Sequence, residues 1–284
     1  MVNTGLRIGA FKVMRDIFKE EKKLYRQGYK CVAGVDEAGR GPLAGPIVAS
    51  AVLILGDRIS SRRSDLLKLK KIKDSKKLSE KQREEWYQIL TTQPALEWAV
   101  ASVYPRMIDR INIFEADKLA MRQAVMKLQK RLETCPERRR RIDCLIIDGN
   151  FYIYDSSEIR SRACSRSYLG RLVLVAEQRP VVKADEKVFL CMAASIIAKV
   201  TRDRIMKKAH EKYPQYGFDK HKGYGTRSHF EAIKKYGPCE IHRKSFEPIR
   251  SGCQNHTRLL TKNQAYDILP IRSRKRRDLK IFLK

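Results

Sequence analysis

At 284 residues and 33.0 kDa, with 43% hydrophobic residues, the chain can bury one large core or two smaller ones, and it is too apolar for a disordered polyelectrolyte. Sixty-one Lys and Arg against 32 Asp and Glu give a formal charge of +29, which points to a polyanionic partner, nucleic acid first; a solvated basic surface or a ribosome-like structural role carries the same signature. The seven cysteines never form a C-x-x-C pair and no apolar run is long enough for a bilayer, so zinc ribbons, disulfide scaffolds and membrane spans are excluded, and a reducing cytoplasm without export is expected.

Phe11, Met14, Ile17, Phe18 and Tyr25 recur at helical spacing among charges and predict an amphipathic helix over 11–25. Residues 31–36 are a short apolar run ending in the pair Asp36-Glu37, and 47–55 resume a β-branched, apolar character. Glycine and proline crowd the stretch between, so the reading is strand, tight turn, strand. Gly39 and Gly41 let the backbone approach a ligand and Arg40 suits a phosphate; a salt-bridged hairpin with glycine at its turn accounts for the same residues. Further on, Ser79 and Gln82 have capping-box spacing and open a helix to about residue 90. Residues 97–104 alternate as a strand. Residues 112–132 read as a long helix with Leu119, Ala120, Ala124, Leu128 and Leu132 inward, and 142–147 as a strand ending in Asp148-Gly149-Asn150. The four arginines at 138–141 fit a solvated loop or a phosphate contact. Residues 151–179 lack periodicity and read as an insertion. A third apolar run, 181–185, ends in Asp185, and a long helix follows over 187–213 whose Ala193-Ala194-Ser195 would allow close approach to the sheet. Gly223 and Gly225 bracket Tyr224 ahead of a short helix over 228–236. Beyond about 250 periodicity is lost, and 272–277 hold five cations in six residues, a basic tail.

Asp36, Glu37, Asp148 and Asp185 thus follow three separate strand-like runs. Crowded carboxylates repel and, unless protonated, need a divalent cation between them. No His or Cys accompanies them at ligand spacing, so hard oxygen donors suit Mg²⁺ or Mn²⁺ rather than zinc. In so basic a chain this suggests phosphodiester hydrolysis, two ions about 4 Å apart activating a water and stabilising the departing 3′ oxygen. Spacing alone leaves Asp148 and Asp185 open as loop-start aspartates.

Five blocks, at 34–46, 74–79, 148–150, 181–204, and 221–226 with 241–248, resemble type 2 ribonuclease H (ribonuclease HII) in that order, from about residue 30 to 250. The resemblance implies an α/β, RNase H-like fold: a mixed central β-sheet flanked by helices, here with a basic C-terminal extension. Its parts would be an N-terminal helix (1–30), a catalytic domain (31–250) carrying the insertion, and a tail (251–284). It implies that Asp36, Glu37, Asp148 and Asp185 are the catalytic, metal-binding carboxylates for two Mn²⁺ or Mg²⁺ ions, Asp36 bridging both. The implied substrates are ribonucleotides embedded in duplex DNA and the RNA strand of RNA–DNA hybrids, cut on the 5′ side to leave a 3′-hydroxyl and a 5′-phosphate by a cytoplasmic monomer. Gly39, Arg40 and Gly41 would read the 2′-hydroxyl through their backbone, Tyr224 would sit against the neighbouring deoxyribose, and Lys76 would approach a backbone phosphate. Ser195, Lys199 and Arg202 fall in the helix block; Arg202 and Asp203 stay open between structural and functional roles, and His242 between a proton shuttle and a structural histidine. The chain departs from the family pattern at Ala184, where glycine is usual, and in the 37 residues from Asp148 to Asp185. The alternatives are a hybrid-only nuclease like ribonuclease HIII, which lacks the Gly-Arg-Gly turn, and a nonenzymatic nucleic-acid binder.

Overall fold

The computed structural model describes residues 17–55, 69, 72, 75–134, 141–154 and 176–252. Its strands are β1 (Val32–Ala38), β2 (Ile47–Ile54), β3 (Leu96–Val103), β4 (Cys144–Asp148) and β5 (Glu177–Val181). Its helices are α1 (Lys19–Arg26), α2 (Glu80–Thr92), α3 (Pro105–Ile111), α4 (Ile113–Thr134), α5 (Ala184–Lys187), α6 (Phe189–Lys212), α7 (Phe218–His221) and α8 (Arg227–Tyr236).

The strands form one mixed sheet in the order β3-β2-β1-β4-β5. The tight turn after β1 makes β2 antiparallel to it, with Asp36 opposite Ser50, and β3 continues antiparallel to β2. On the other side β4 and β5 run parallel to β1, each reached through a longer connection as parallel pairing requires. This is the expected α/β fold, a central sheet flanked by helices.

Alternation along the strands feeds two cores. Ala33, Val35, Ala49, Ala51, Leu145 and Ile147 face α4, whose Ala120, Met121, Ala124 and Leu128 cover them. Val32, Val52, Ile54, Cys144 and Ile146 face α6, which contributes Phe189, Leu190, Ala194 and Ile197. Gly34 permits that second contact: a Cβ there would stand 2.5 Å from Leu190 Cβ, so only glycine lets α6 lie this close to β1. A third cluster joins Leu43 and Ala44 to Met206, Tyr216, Phe218 and Ile233, tying the turn after β1 to the far half of α6 and to α8.

Two expected helix starts hold. Ser79 Oγ accepts from Gln82 N while Gln82 Oε1 accepts from Ser79 N, and Asn112 Oδ1 accepts from Phe114 N and Glu115 N at the start of α4. Cys31, Cys144 and Cys191 are buried in apolar surroundings, and Cys144 and Cys191 are free thiols packing as small hydrophobes. Two expectations need correction. β1 continues to Ala38, past the expected end at Asp36, so Asp36 and Glu37 both lie inside the strand. β5 begins at Glu177, within the stretch read as insertion, and Gln178 Oε1 accepts from Ile153 N and Tyr154 N, so 151–154 also belong to the sheet's surroundings. The remainder of that stretch, 155–175, lies outside the described residues, as do 1–16 and the tail from 253. No described helix is long and apolar enough to cross a membrane.

Candidate active site

The pleat decides which carboxylates meet. Val32 and Gly34 face α6 while Ala33 and Val35 face α4, so Asp36 turns toward α6 and Glu37 toward α4. On β4, whose Ile147 lies beside Val35, the same alternation turns Asp148 toward α6. Asp185 arrives from a third element: after β5 the chain passes through Lys183 at φ 57° and enters α5. Asp36, Asp148 and Asp185 each bring a carboxylate oxygen within 4.8 Å of the others. Asp36 is 4% exposed and Asp185 2%, and Asp148 is half-buried.

Each side chain of this trio is held. Asp36 Oδ1 accepts from Glu37 N at 2.7 Å, and its carboxylate also receives a hydrogen bond from Ser195, whose hydroxyl lies 2.8 Å from Ser75 Oγ. Asp148 Oδ1 accepts from Ala184 N at 2.7 Å, and the Ala184 methyl is buried, so alanine is accommodated at the position where glycine was expected. Asp185 Oδ2 pairs with Lys76 Nζ at 2.8 Å; Lys76 is therefore engaged with the carboxylates while its side chain remains 77% exposed. Burial, reinforced by the charges of Glu37 and Asp148, holds Asp36 well above the ordinary carboxylate range, and burial followed by the Asp185 charge raises Asp148. Such a group cannot ionise fully without a cation. Its donors are all carboxylate oxygens, which fit a hard divalent ion of the Mg²⁺ or Mn²⁺ kind.

Glu37 stands outside the trio, on the α4 side. Arg40 Nη1 lies 3.7 Å from Glu37 Oε1, and Arg40 Nε lies 3.5 Å from Asp117 Oδ2. Asp117, on α4, is wholly buried, and neither of its oxygens nor Glu37 Oε2 has a hydrogen-bond partner among the described residues. Burial and the Asp117 charge push Glu37 up to about 8, and burial pushes Asp117 to about 7. The sequence reading missed Asp117. Its signal was an acid three residues before Ala120 on the inward stripe of the long helix, where an apolar side chain belongs.

The Gly39–Gly41 turn borders this site. Gly39 has φ +103°, and a Cβ on it would run into Arg202 and stand 2.9 Å from the Pro46 carbonyl. The Tyr224 ring lies alongside: a Cβ on Gly41 would be 3.9 Å from Tyr224 Cε1. Tyr224 is 43% exposed, with Lys199 Nζ and the Arg202 guanidinium each 5.8 Å from its ring centroid. Lys199 pairs with Asp203 at 2.8 Å. His242 is buried; its Nδ1 accepts from Cys239 N and its Nε2 lies 3.1 Å from His229 Nε2, so both ring nitrogens are committed and its role is structural.

The sequence model described as Ribonuclease HII matches residues 33–249. The chain belongs to the ribonuclease HII family. Among its relatives, ribonuclease HII of Chlamydia muridarum is 41% identical over 230 residues, covering 81% of this chain and 88% of that protein. Ribonuclease HII of Acetivibrio thermocellus is 44% identical over 226 residues, covering 80% and 73%. The crystal structure of ribonuclease H2 from Pyrococcus horikoshii superposes with TM-score 0.55 at 30% identity, covering 78% of this chain and 96% of that one. As a member of the ribonuclease HII family the chain is a metal-dependent endonuclease of ribonuclease H type. The matched span contains Asp36, Glu37, Asp148, Asp185, the glycine turn and Tyr224; the basic tail falls beyond it.

Proposed function

We propose that this ribonuclease HII hydrolyses the phosphodiester 5′ of ribonucleotides embedded in duplex DNA, and of those in the RNA strand of RNA–DNA hybrids, leaving a 3′-hydroxyl and a 5′-phosphate. The observation that carries the reading is the convergence of Asp36, Asp148 and Asp185 from three elements onto one point beside the Gly39–Gly41 turn. Asp36, Asp148, Asp185 and Glu37 would hold two divalent ions, Asp36 between them; the buried Glu37 Oε2, which has no hydrogen-bond partner among the described residues, is an available acceptor for that purpose. When bound, the ions supply an activated water and charge stabilisation at the departing 3′ oxygen.

The remaining work falls to the chain. Gly39, Arg40 and Gly41 receive the ribose 2′-hydroxyl, the group that distinguishes the two sugars. Tyr224, exposed beside the turn, packs on the adjoining deoxyribose. The exposed stem of Lys76 lets its ammonium be shared between Asp185 and a phosphate of the cleaved strand. The enzyme would act as a cytoplasmic monomer; the free thiols of Cys144 and Cys191 support the reducing setting.

The test is cleavage of a labelled duplex containing one ribonucleotide, beside an all-DNA duplex and a uniform hybrid, each with Mg²⁺, with Mn²⁺ and with EDTA. Metal-dependent nicking 5′ of the single ribonucleotide, absent from plain DNA, is expected. Cleavage of the hybrid alone would replace this reading with a hybrid-only nuclease, and binding without a cut would leave a nucleic-acid binder.

A further inference from the structure

Arg202 and Arg243 are fully buried, and among the described residues neither makes an ion pair. A charge so placed costs several kcal/mol unless its hydrogens are satisfied. Here backbone carbonyls satisfy all three nitrogens of Arg243 and two of the three of Arg202, whose Nη1 has no hydrogen-bond partner among the described residues. Arg243 donates from Nε to Gly45 O at 3.0 Å, from Nη1 to Arg40 O at 2.9 Å and from Nη2 to Gly39 O at 2.6 Å. Arg202 donates from Nε to Pro46 O at 3.0 Å and from Nη2 to Ala44 O at 3.1 Å and Lys222 O at 3.0 Å. Five carbonyls of the turn after β1 and one from the segment leading to Tyr224 thus point inward onto two guanidinium groups. The main chain adds Leu43 N to Gly223 O and Arg243 N to Leu43 O. The amide N–H groups of Gly39, Arg40 and Gly41 donate to no group among the described residues; Gly39 is buried, Arg40 half-buried and Gly41 exposed.

We infer that Arg243 and Arg202 are positioning residues for ribose selectivity. They hold the carbonyls of Gly39, Arg40, Ala44, Gly45 and Pro46 inward, so that those of Gly39 and Arg40 are withdrawn from the incoming sugar, and they lock the turn to the Tyr224 segment as one unit. Because the donors are cations, each carbonyl bond is charge-assisted, which resists a peptide flip that would aim an acceptor outward. Arginine is required by geometry: its rigid fork spans three carbonyls, and the single ammonium of lysine cannot. This inference rests on the proposed reading of the turn as the 2′-hydroxyl reader.

The experiment measures kcat/KM of the full chain and of Arg243→Lys on the single-ribonucleotide duplex and on the uniform hybrid, and compares the ratio of the two. Loss of folded protein scales both rates alike and leaves the ratio unchanged, so a merely structural role does not move it. The hybrid offers a 2′-hydroxyl at every step and tolerates a loosened reader; the single ribonucleotide does not. The ratio is expected to fall about ten- to a hundredfold, the scale of a 1 Å misplacement. Asp109→Ala is the second variant. Asp109 accepts from Lys244 N at 3.0 Å and Ser245 N at 2.9 Å and so holds the residues after Arg243 without touching its guanidinium. It is expected to lower the ratio less, in the same direction, and it decides alone if Arg243→Lys does not fold. A wild-type preference for the single ribonucleotide that both variants retain would overturn the inference and leave the proposed function intact. No wild-type ribose selectivity would overturn the proposed function, and the inference with it.

Discussion

Neighbours on a strand face opposite ways, and at Asp36 and Glu37 that alternation divides the site's negative charge between the two sides of the sheet. Asp36 meets Asp148 and Asp185; Glu37 meets Arg40 and Asp117. Asp36→Asn keeps the shape and removes the charge from the centre of the trio. It should lower Mn²⁺ affinity and turnover by more than about a hundredfold, since even partners outside the ligand shell cost ten- to a hundredfold in metal proteins. Duplex binding at low salt should survive, and retained turnover would remove Asp36 from the ion-bridging role. The raised pKa values of Asp36, Asp148 and Glu37, which make them weaker acids than ordinary carboxyls, fix a pH dependence. A carboxylate binds metal only when deprotonated, so ions compete with protons here. Mn²⁺ affinity should rise with pH from 6 to about 8, where Glu37 titrates, and binding should release protons. Calorimetry in two buffers of different ionisation enthalpy measures that release, and equal heats in both would count against it.

At the scale of elements, α1 is pinned to α6 by one buried acid. Glu21 Oε1 accepts from Leu190 N in the first turn of α6, while Oε2 has no hydrogen-bond partner among the described residues. Burial pushes Glu21 up to about 7 from 4.5. Between those values the folded chain binds more protons than the unfolded chain, so this group's contribution is favourable in acid and is lost as pH rises through 7. Glu21→Gln keeps the acceptor and carries no charge. It should stabilise the protein at pH 8 by about 3 kcal/mol, and by little near pH 4.5. Denaturant melts at the two pH values test this; an equal effect at both would defeat it. Elements of this kind were legible where the signal is local. The Ser79–Gln82 box, the Asn112 start and the β-branched run of β2 each state their structure within a few residues. Glu177–Val181 does not, because Glu-Gln-Arg-Pro-Val has no strand pattern and becomes β5 only by pairing with β4. The site divides in the same way. Asp36, Asp148 and Asp185 each close a short apolar run and could be picked out. The tasks of Arg202 and Arg243 depend on six carbonyls, five of them 156 to 204 positions away in sequence, which no local pattern encodes.

The molecule as a whole carries +29, and that charge is unevenly placed along the chain. Residues 253–284 hold nine Lys and Arg against two Asp, whereas every group assigned here to the site lies within residues 17–252. Affinity for a duplex that comes from charge is counterion release: each neutralised phosphate adds about 0.9 to the slope of log K against log salt. If four or five of the tail cations meet phosphates, removing residues 253–284 should flatten that slope by about 4 and weaken duplex binding most at low salt. The cleavage position and the preference between single ribonucleotide and hybrid should not change, because phosphate contacts outside the site carry no information about the sugar. Fluorescence anisotropy on an all-DNA duplex from about 50 to 200 mM salt gives the slope directly. An unchanged slope would place the duplex-binding charge on the catalytic domain itself, whereas an altered ribonucleotide preference would mean that the tail takes part in reading the substrate.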